Sequence, residues 1–143
     1  MKFEKHFIDS LGYEIELTSR ICHELFKRWF EKNTDLLTID EFIILDTIDC
    51  EHKLSQIELA HMTLKGKAHT GKFLDTLEEK GFITRLYDTK NSRMVKIPIM
   101  TKFGKQIYDE IRLKLEESTN KIYEFINENE MKNIKKSIKN FRE

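Results

Sequence analysis

The side chains that could do chemistry in this sequence are mostly cations, and they are concentrated in one stretch of the chain. Residues 65–105 hold ten lysines and arginines but four acids, a local charge of +6 in a chain of 143 residues whose formal net charge is zero. A concentrated positive field attracts phosphate groups whatever the overall charge of the protein. The pattern therefore indicates a polyanion as partner, with an ordinary solvated lysine-rich face as the alternative.

Cys22 is the residue whose chemistry would matter most for regulation. His23, Lys27 and Arg28 follow it closely in the sequence, and neighbouring cations favour a thiolate that oxidants can attack. The same cysteine falls on an apolar row of a predicted helix, where a buried cysteine acts as a small hydrophobic side chain. Redox sensing and simple packing both remain open for Cys22.

The sequence contains no recognisable motif for catalysis or for metal binding. Its five histidines are scattered, and Cys50-Glu51-His52 is the one tight set of ligand types. The spacings CxxC, HxxxH and HExxH, which place two ligands on one metal, are absent, as are phosphate-binding glycine loops and nucleophile elbows. We therefore expect no enzyme activity, no metal and no cofactor.

Composition indicates where the protein works. It is 39% hydrophobic with a single proline, which suits a globular core, and no apolar run approaches the ~18 to 20 residues that a membrane span needs. Two cysteines without a disulfide framework suit a reducing compartment. We expect a soluble, cytoplasmic protein that does not contact a membrane.

The elements that must position the cations are mainly helical. A first helix is predicted over about residues 7–31 from an apolar row with 4-3-4-3-4 spacing. Capping boxes at Thr38–Glu41 and Ser55–Glu58 predict the starts of a second helix and of a short third helix. A fourth helix, at about 68–80, is expected to be closed by Gly81.

After residue 81 the hydrophobic period changes from 3.6 to 2. Residues 82–87 and 95–99 flank the turn-rich segment 88–92, which predicts a two-stranded hairpin. From Thr101 the chain returns to helical spacing, in one long helix and a last short one. Helices with apolar rows at both ends of the chain would be poorly covered in one small domain, so we expect a second copy to cover them.

This order of elements predicts a winged helix-turn-helix: mainly α, with a small β-hairpin wing and helices at both termini for dimerisation. In the DNA-binding form, the second helix of the turn enters the major groove and neighbouring groups contact phosphates. An arginine at the hairpin tip can enter a narrow minor groove. The candidate DNA-binding residues are Lys67, His69, Thr70 and Lys72 on the recognition helix, Lys90 and Arg93 at the wing tip, and Lys65 and Arg85 as phosphate contacts.

Several short motifs together resemble one family. The run Leu74–Arg85, which contains Leu77-Glu78-Glu79-Lys80-Gly81-Phe82-Ile83, is followed by Asn91-Ser92-Arg93 in the wing and by Thr101-Lys102-Phe103-Gly104. As a set, these residues resemble the MarR family of bacterial transcriptional regulators over about residues 37–105. The resemblance implies a homodimer on a pseudo-palindromic operator, released in many members by a small phenolic ligand or by oxidation.

Some positions depart from the family pattern. Asn91 stands where the family usually has an aspartate that holds the wing arginine by charge. Ala68, His69 and Gly71 replace small hydroxyl residues on the recognition helix, so the operator sequence cannot be carried over. In the peroxide-sensing branch a tyrosine would be expected where Phe26 stands, one turn after Cys22.

The sequence thus predicts a homodimeric DNA-binding transcriptional regulator acting as a repressor. Residues 37–101 would form the winged helix-turn-helix, and residues 1–36 and 102–143 the helical dimerisation region. The candidate effector is a small aromatic molecule or an oxidant, and the candidate effector pocket is lined by Phe26, Trp29 and Phe42. The alternative is a winged helix used for protein–protein contact without specific DNA binding, which would not need the cationic helix.

Overall fold

Local capping signals determine where the first helices of the molecule begin. The computed structural model describes residues 5–143. A short 3-10 turn at Phe7–Asp9 precedes α1 (Leu11–Asn33), and Ser10 caps α1 by accepting the Tyr13 N–H at 3.2 Å. The sequence predicted a continuous helix from about residue 7; the start lies later because the Ser10 hydroxyl satisfies an amide of the first turn.

The two predicted capping boxes are both confirmed. At the start of α2 (Ile39–Cys50), the Thr38 hydroxyl accepts the Glu41 N–H at 3.2 Å and the Glu41 carboxylate accepts the Thr38 N–H at 3.0 Å. Ser55 and Glu58 exchange the same two bonds at the start of α3 (Gln56–Met62). Each box satisfies two amides that would otherwise lack a partner at a helix end.

Gly81 ends the fourth helix, α4 (Lys67–Glu79), as the sequence predicted. Its φ of 79° is readily adopted by glycine, and its N–H donates to the Glu78 carbonyl. The following Phe82 N–H donates to the Leu77 carbonyl at 2.9 Å, which completes a Schellman motif. The motif turns the chain directly from α4 into the first strand.

The wing is a two-stranded antiparallel sheet. Strand β1 (Ile83–Lys90) pairs with β2 (Arg93–Met100), with Lys90 opposite Arg93. The turn between them has two residues, Asn91 and Ser92, with φ of 51° and 62°. Positive φ at both turn residues gives the twist that a two-residue hairpin needs. The predicted hairpin is confirmed, but residues 88–90 belong to β1 rather than to the turn, because they pair with residues 93–95 of β2.

Two further helices complete the chain, α5 (Lys102–Ile122) and α6 (Glu128–Arg142). The described residues form two compact units, one that ends at Tyr108 and one that comprises Asp109–Glu143. The first turn of α5 lies against the segment between the end of α4 and the start of β1. The approach is close: a Cβ on Gly104 would lie 2.1 Å from the Phe82 carbonyl oxygen.

The first unit has one hydrophobic core to which α1, α2, α3, α4, the wing and the start of α5 contribute. Its fully or almost fully buried side chains are Phe30, Ile44, Leu45, Leu59, Leu74, Leu77, Phe82, Ile83 and Tyr108. Three helices followed by a hairpin form a winged helix-turn-helix, which confirms the predicted fold class. Within residues 5–143, no helix is long and apolar enough to span a membrane.

Candidate nucleic-acid interface

Three polar side chains project from the start of α4 into solvent. Lys67, His69 and Lys72 are all exposed, and none of them forms an ion pair with another described residue. Their charge and hydrogen-bonding capacity are therefore available to an external partner. Lysines on the exposed start of a recognition helix suit contact with phosphates and base edges.

The backbone at the start of α4 also has unused hydrogen-bonding capacity. Gly66 occupies the N-cap and provides no side-chain bond, and the first turn contains no acid. By contrast, α1, α2, α3 and α6 each begin with a side chain that accepts an amide of the first turn. Free amides and the positive end of the helix dipole favour an anion, so the helix end and its lysines attract phosphate together.

Thr70 does not contribute to this surface, which corrects the sequence prediction. Its side chain is 0% exposed, and its hydroxyl has no hydrogen-bond partner among the described residues. Thr70 is four residues before Leu74 and seven before Leu77, so all three face the core along one side of α4. A side chain on that face cannot reach a DNA groove.

The two predicted phosphate contacts outside the recognition helix are engaged in ion pairs. Lys65 Nζ lies 2.6 Å from Asp40 Oδ1. Arg85 Nη2 lies 2.5 Å from Asp75 Oδ1 and 3.0 Å from Glu78 Oε1. The hydrogen bonds that Arg85 donates to Glu78 and to Asp75 raise the pKa of Arg85, and the Arg85 guanidinium in turn lowers the pKa of Glu78. The Lys65 pair connects the turn before α4 to α2, and the Arg85 pairs connect β1 to α4.

The two cations at the wing tip differ in their surroundings. Arg93 is exposed next to the turn and has no carboxylate partner within residues 5–143. Lys90 instead lies with its Nζ 2.7 Å from Glu58 Oε2 and 3.3 Å from the Lys53 carbonyl oxygen. The Lys90 hydrogen bond, together with those from Ser55, lowers the pKa of Glu58 to about 2. Arg93 is thus available to a ligand, whereas Lys90 already has partners.

The acids that hold these cations are the residues that sequence reasoning missed. Asp40, Glu58, Asp75 and Glu78 each accept a bond from a predicted DNA-binding cation. In the sequence, Glu58 was recognisable as the second member of a capping box. That motif predicts the start of a helix, not an ion pair with Lys90. No sequence spacing indicated that Lys90 would reach it from 32 residues away.

The residues predicted for effector control lie in or near the first unit's aromatic core. Phe42 is 7% exposed, and its ring centroid lies 5.3 Å from those of Phe30 and Tyr108. Trp29 contacts Phe30 edge to face, and Phe26 and Cys22 are half-buried in α1. An open cavity of about 490 Å³ lies between α1, α2 and α4, and Phe30 rather than the three predicted aromatic residues lines it.

The described part of the chain contains no group of three or more histidine, cysteine or carboxylate side chains arranged to hold a metal ion. The site is therefore composed of cations, a helix terminus and a wing. It is suited to binding a polyanion.

Comparison with known proteins agrees with this geometry. The MarR family model matches residues 37–95, which run from the residue before the Thr38 cap into β2. No curated protein sequence is similar enough to count as a match. Members of the MarR family are transcription regulators rather than enzymes.

Solved structures show the same fold. A MarR/EmrR family regulator from Acinetobacter sp. ADP1 superimposes with a TM-score of 0.80 at 16% identity, covering 92% of this chain and 91% of that one. Staphylococcus aureus MepR, solved in complex with DNA, gives 0.74 at 16% identity over 92% and 95% of the two chains. Bordetella bronchiseptica BpsR, described with regulation of its DNA binding by 6-hydroxynicotinic acid, gives 0.79 at 17% identity over 96% of each.

The family match covers the helices and most of the wing on which the exposed cations lie, and the structural likeness extends over nearly the whole chain. The winged helix-turn-helix of this chain is similar to the MarR family of transcriptional regulators over residues 37–95, and the chain shares the fold of solved MarR-family structures.

Proposed function

We propose that the protein binds double-stranded DNA as a homodimer and acts as a repressor at a pseudo-palindromic operator. The observation that carries the proposal is the exposed start of α4, whose cations form no ion pair with another described residue, together with the exposed wing arginine Arg93. Lys67, His69 and Lys72 would face the major groove, and Arg93 the minor groove. Lys65 and Arg85 are held in ion pairs, and they are proposed to contact phosphates at the edge of the site by exchanging their acidic partners for a phosphate.

The homodimer part of the proposal is supported by apolar side chains that the single chain leaves uncovered. On α1, Leu11, Ile21 and Leu25 are more than half exposed. In the second unit, Leu113, Ile122 and Phe125 are also more than half exposed. Soluble monomers rarely expose large contiguous apolar patches, so a second copy of the chain is the proposed cover for these side chains. The resulting homodimer would present two recognition helices about one DNA turn (~34 Å) apart.

The test of DNA binding starts with selection of bound fragments from genomic DNA, followed by footprinting of the selected site. A two-fold symmetric footprint is expected. If each protomer neutralises ~3 to 5 phosphates, log affinity should fall with log salt with a slope of roughly −5 to −9. A slope near −1, or no duplex binding in dilute buffer, would favour the protein–protein module instead.

Arg93→Ala tests the role of the wing. The variant should bind all sequences more weakly, with the larger loss at sites whose flanks have a narrow minor groove. Fluorescence anisotropy with matched duplexes measures both effects. Unchanged affinity for every duplex would exclude the wing from the interface.

Effector control is proposed to act either through a small aromatic ligand near Phe26, Trp29 and Phe42 or through oxidation of Cys22. Titrating the DNA complex with an organic peroxide separates these two routes, with Cys22→Ser as the control. Release of DNA by the wild type alone supports redox sensing, because serine cannot form the sulfenic acid. Equal behaviour of the two proteins excludes Cys22 as the sensor.

A further inference from the structure

The outer half of the wing has almost no hydrophobic support. From Tyr87 to Met94, every side chain except Lys90 is exposed. The hairpin hydrogen bonds hold the two strands to each other, but they do not fix the direction in which the hairpin points. Two-stranded ribbons without a covered face are marginally stable and twist readily. Some other contact must therefore set the position of the tip relative to α4.

Lys90 makes that contact. It is the last residue of β1 and pairs with Arg93 across the two-residue turn. Its ammonium group donates to the Glu58 carboxylate at 2.7 Å and to the Lys53 carbonyl oxygen at 3.3 Å. Lys53 lies in the loop before α3 and Glu58 in the first turn of α3, so the Lys90 side chain connects the wing tip to the helix-turn-helix.

The acceptor side of this connection is itself rigid. The Glu58 oxygen that receives Lys90 also accepts the Ser55 N–H at 2.8 Å, as part of the capping box of α3. Lys53 has a φ of 58°, in the left-handed region that residues other than glycine rarely adopt. The lysine thus binds a carboxylate that is already oriented, which reduces the entropy lost in forming the bridge.

We propose that Lys90 is a positioning residue for the wing, and that its bridge to Glu58, rather than a bond from Lys90 to DNA, directs Arg93 into the groove. The proposal rests on the proposed DNA-binding function. It reassigns Lys90, because an ammonium group held by a carboxylate and a carbonyl contributes little net charge to a phosphate. Lys90 is instead proposed to affect DNA binding indirectly, by fixing the position of Arg93.

Lys90→Gln and Glu58→Gln each remove one side of the ion pair, and Glu58→Gln distinguishes the two roles by the sign of its effect. A glutamine at position 58 can still complete the capping box, so the helix end is preserved while the bridge loses its ionic attraction. If Lys90 positions the wing, each variant should weaken duplex binding about three- to fivefold, and the double variant no more than either single one. If Lys90 contacts phosphate, Glu58→Gln should strengthen binding, because it releases a lysine and removes a negative charge.

The salt dependence provides a second measurement. Lys90→Gln should leave the slope of log affinity against log salt unchanged, whereas losing a phosphate contact would make the slope shallower by ~1 for each protomer.

Lys96→Gln is the matched lysine control, since Lys96 is exposed on the same hairpin and has no bond to α3. Glu79→Gln controls for loss of a negative charge at an exposed position without an ion pair among the described residues.

Order in the wing of the free protein tests the bridge without DNA. NMR relaxation order parameters of the Asn91 and Ser92 amides should fall in Lys90→Gln and in Glu58→Gln, and should stay at wild-type values in both controls. Unchanged order in the two bridge variants would overturn the proposal, as would stronger DNA binding by Glu58→Gln. If the wild type binds no duplex, the DNA-binding function fails, while the amide measurement still decides whether the bridge holds the wing.

Discussion

Neighbouring residues of α4 have opposite roles because a helix has an inner and an outer face. His69 and Lys72 lie on the exposed face, whereas Thr70 lies on the inner face with Leu74 and Leu77. A buried hydroxyl without a partner loses its bonds to water and gains none in return. Thr70 therefore costs stability, and its burial keeps it out of the DNA interface.

Thr70→Val should stabilise the protein by about 0.5 to 1.5 kcal/mol, because valine has nearly the same shape and carries no polar group that needs a partner. Urea unfolding measures the change. DNA affinity should stay at the wild-type value, since the side chain does not reach the surface. Thr70→Ser, which keeps the hydroxyl and loses the methyl group, is the control and should destabilise. Lower DNA affinity of a fully folded Thr70→Val would show that Thr70 does contribute to the interface.

At the level of elements, α3 depends on one carboxylate for two contacts. Glu58 accepts the Ser55 amide at the start of α3 and the Lys90 ammonium from the wing. The Lys90 and Ser55 bonds hold its pKa at about 2, below the ordinary value of 4.5. The folded state therefore binds this proton less readily than the unfolded chain does, and the resulting stabilisation is present above the ordinary pKa.

Acidification should remove that stabilisation progressively as the pH falls from the ordinary glutamate pKa towards about 2. Wild type should lose more stability than Glu58→Gln between about pH 5 and about pH 3, because glutamine does not titrate. Urea midpoints of the two proteins at both pH values provide the measurement. Parallel losses in the two proteins would mean that Glu58 is not the group responsible.

The junction between α4, β1 and α5 depends on a glycine. A Cβ at Gly104 would lie 2.1 Å from the Phe82 carbonyl oxygen, and that carbonyl accepts the Thr101 N–H at 2.9 Å. Gly104→Ala should therefore destabilise the protein by about 1 to 3 kcal/mol through overpacking against backbone. Gly71→Ala is the control, because its Cβ would meet only the end of the Gln56 side chain at 3.3 Å. Equal unfolding midpoints for the two variants would contradict the close approach.

In the whole molecule, the helices of the second unit carry apolar side chains with little cover. On α6, Ile134, Ile138 and Phe141 are each more than two-fifths exposed, and their spacing places them on one face. A helix with one apolar face gains most of its stability by packing that face against a partner. The proposed homodimer would provide the partner.

Ile138→Glu should shift the protein towards monomers at micromolar concentration, because it places a charge in the apolar row. Sedimentation velocity measures the change, and duplex affinity should fall at least about tenfold because the two half-sites are no longer bound together. Asn133→Glu makes the same change of charge away from that row and should remain dimeric. A dimeric Ile138→Glu protein would place the interface elsewhere.

The sequence by itself determined the features that depend on neighbouring residues. The capping boxes of α2 and α3, the Gly81 helix end and the wing hairpin could be predicted because each depends on residues within a few positions of one another. Together with the family motifs, these signals established the winged helix-turn-helix.

Only the tertiary structure decided which cations are available for a ligand. Lys65 binds an acid 25 positions away and Lys90 one 32 positions away, while Arg93 stays exposed. A sequence lists charges but not their partners, since partners are selected by how helices and strands pack at long range. For the same reason, the sequence identified the basic region of the chain, but the fold determined which of its cations are exposed and which are held in ion pairs.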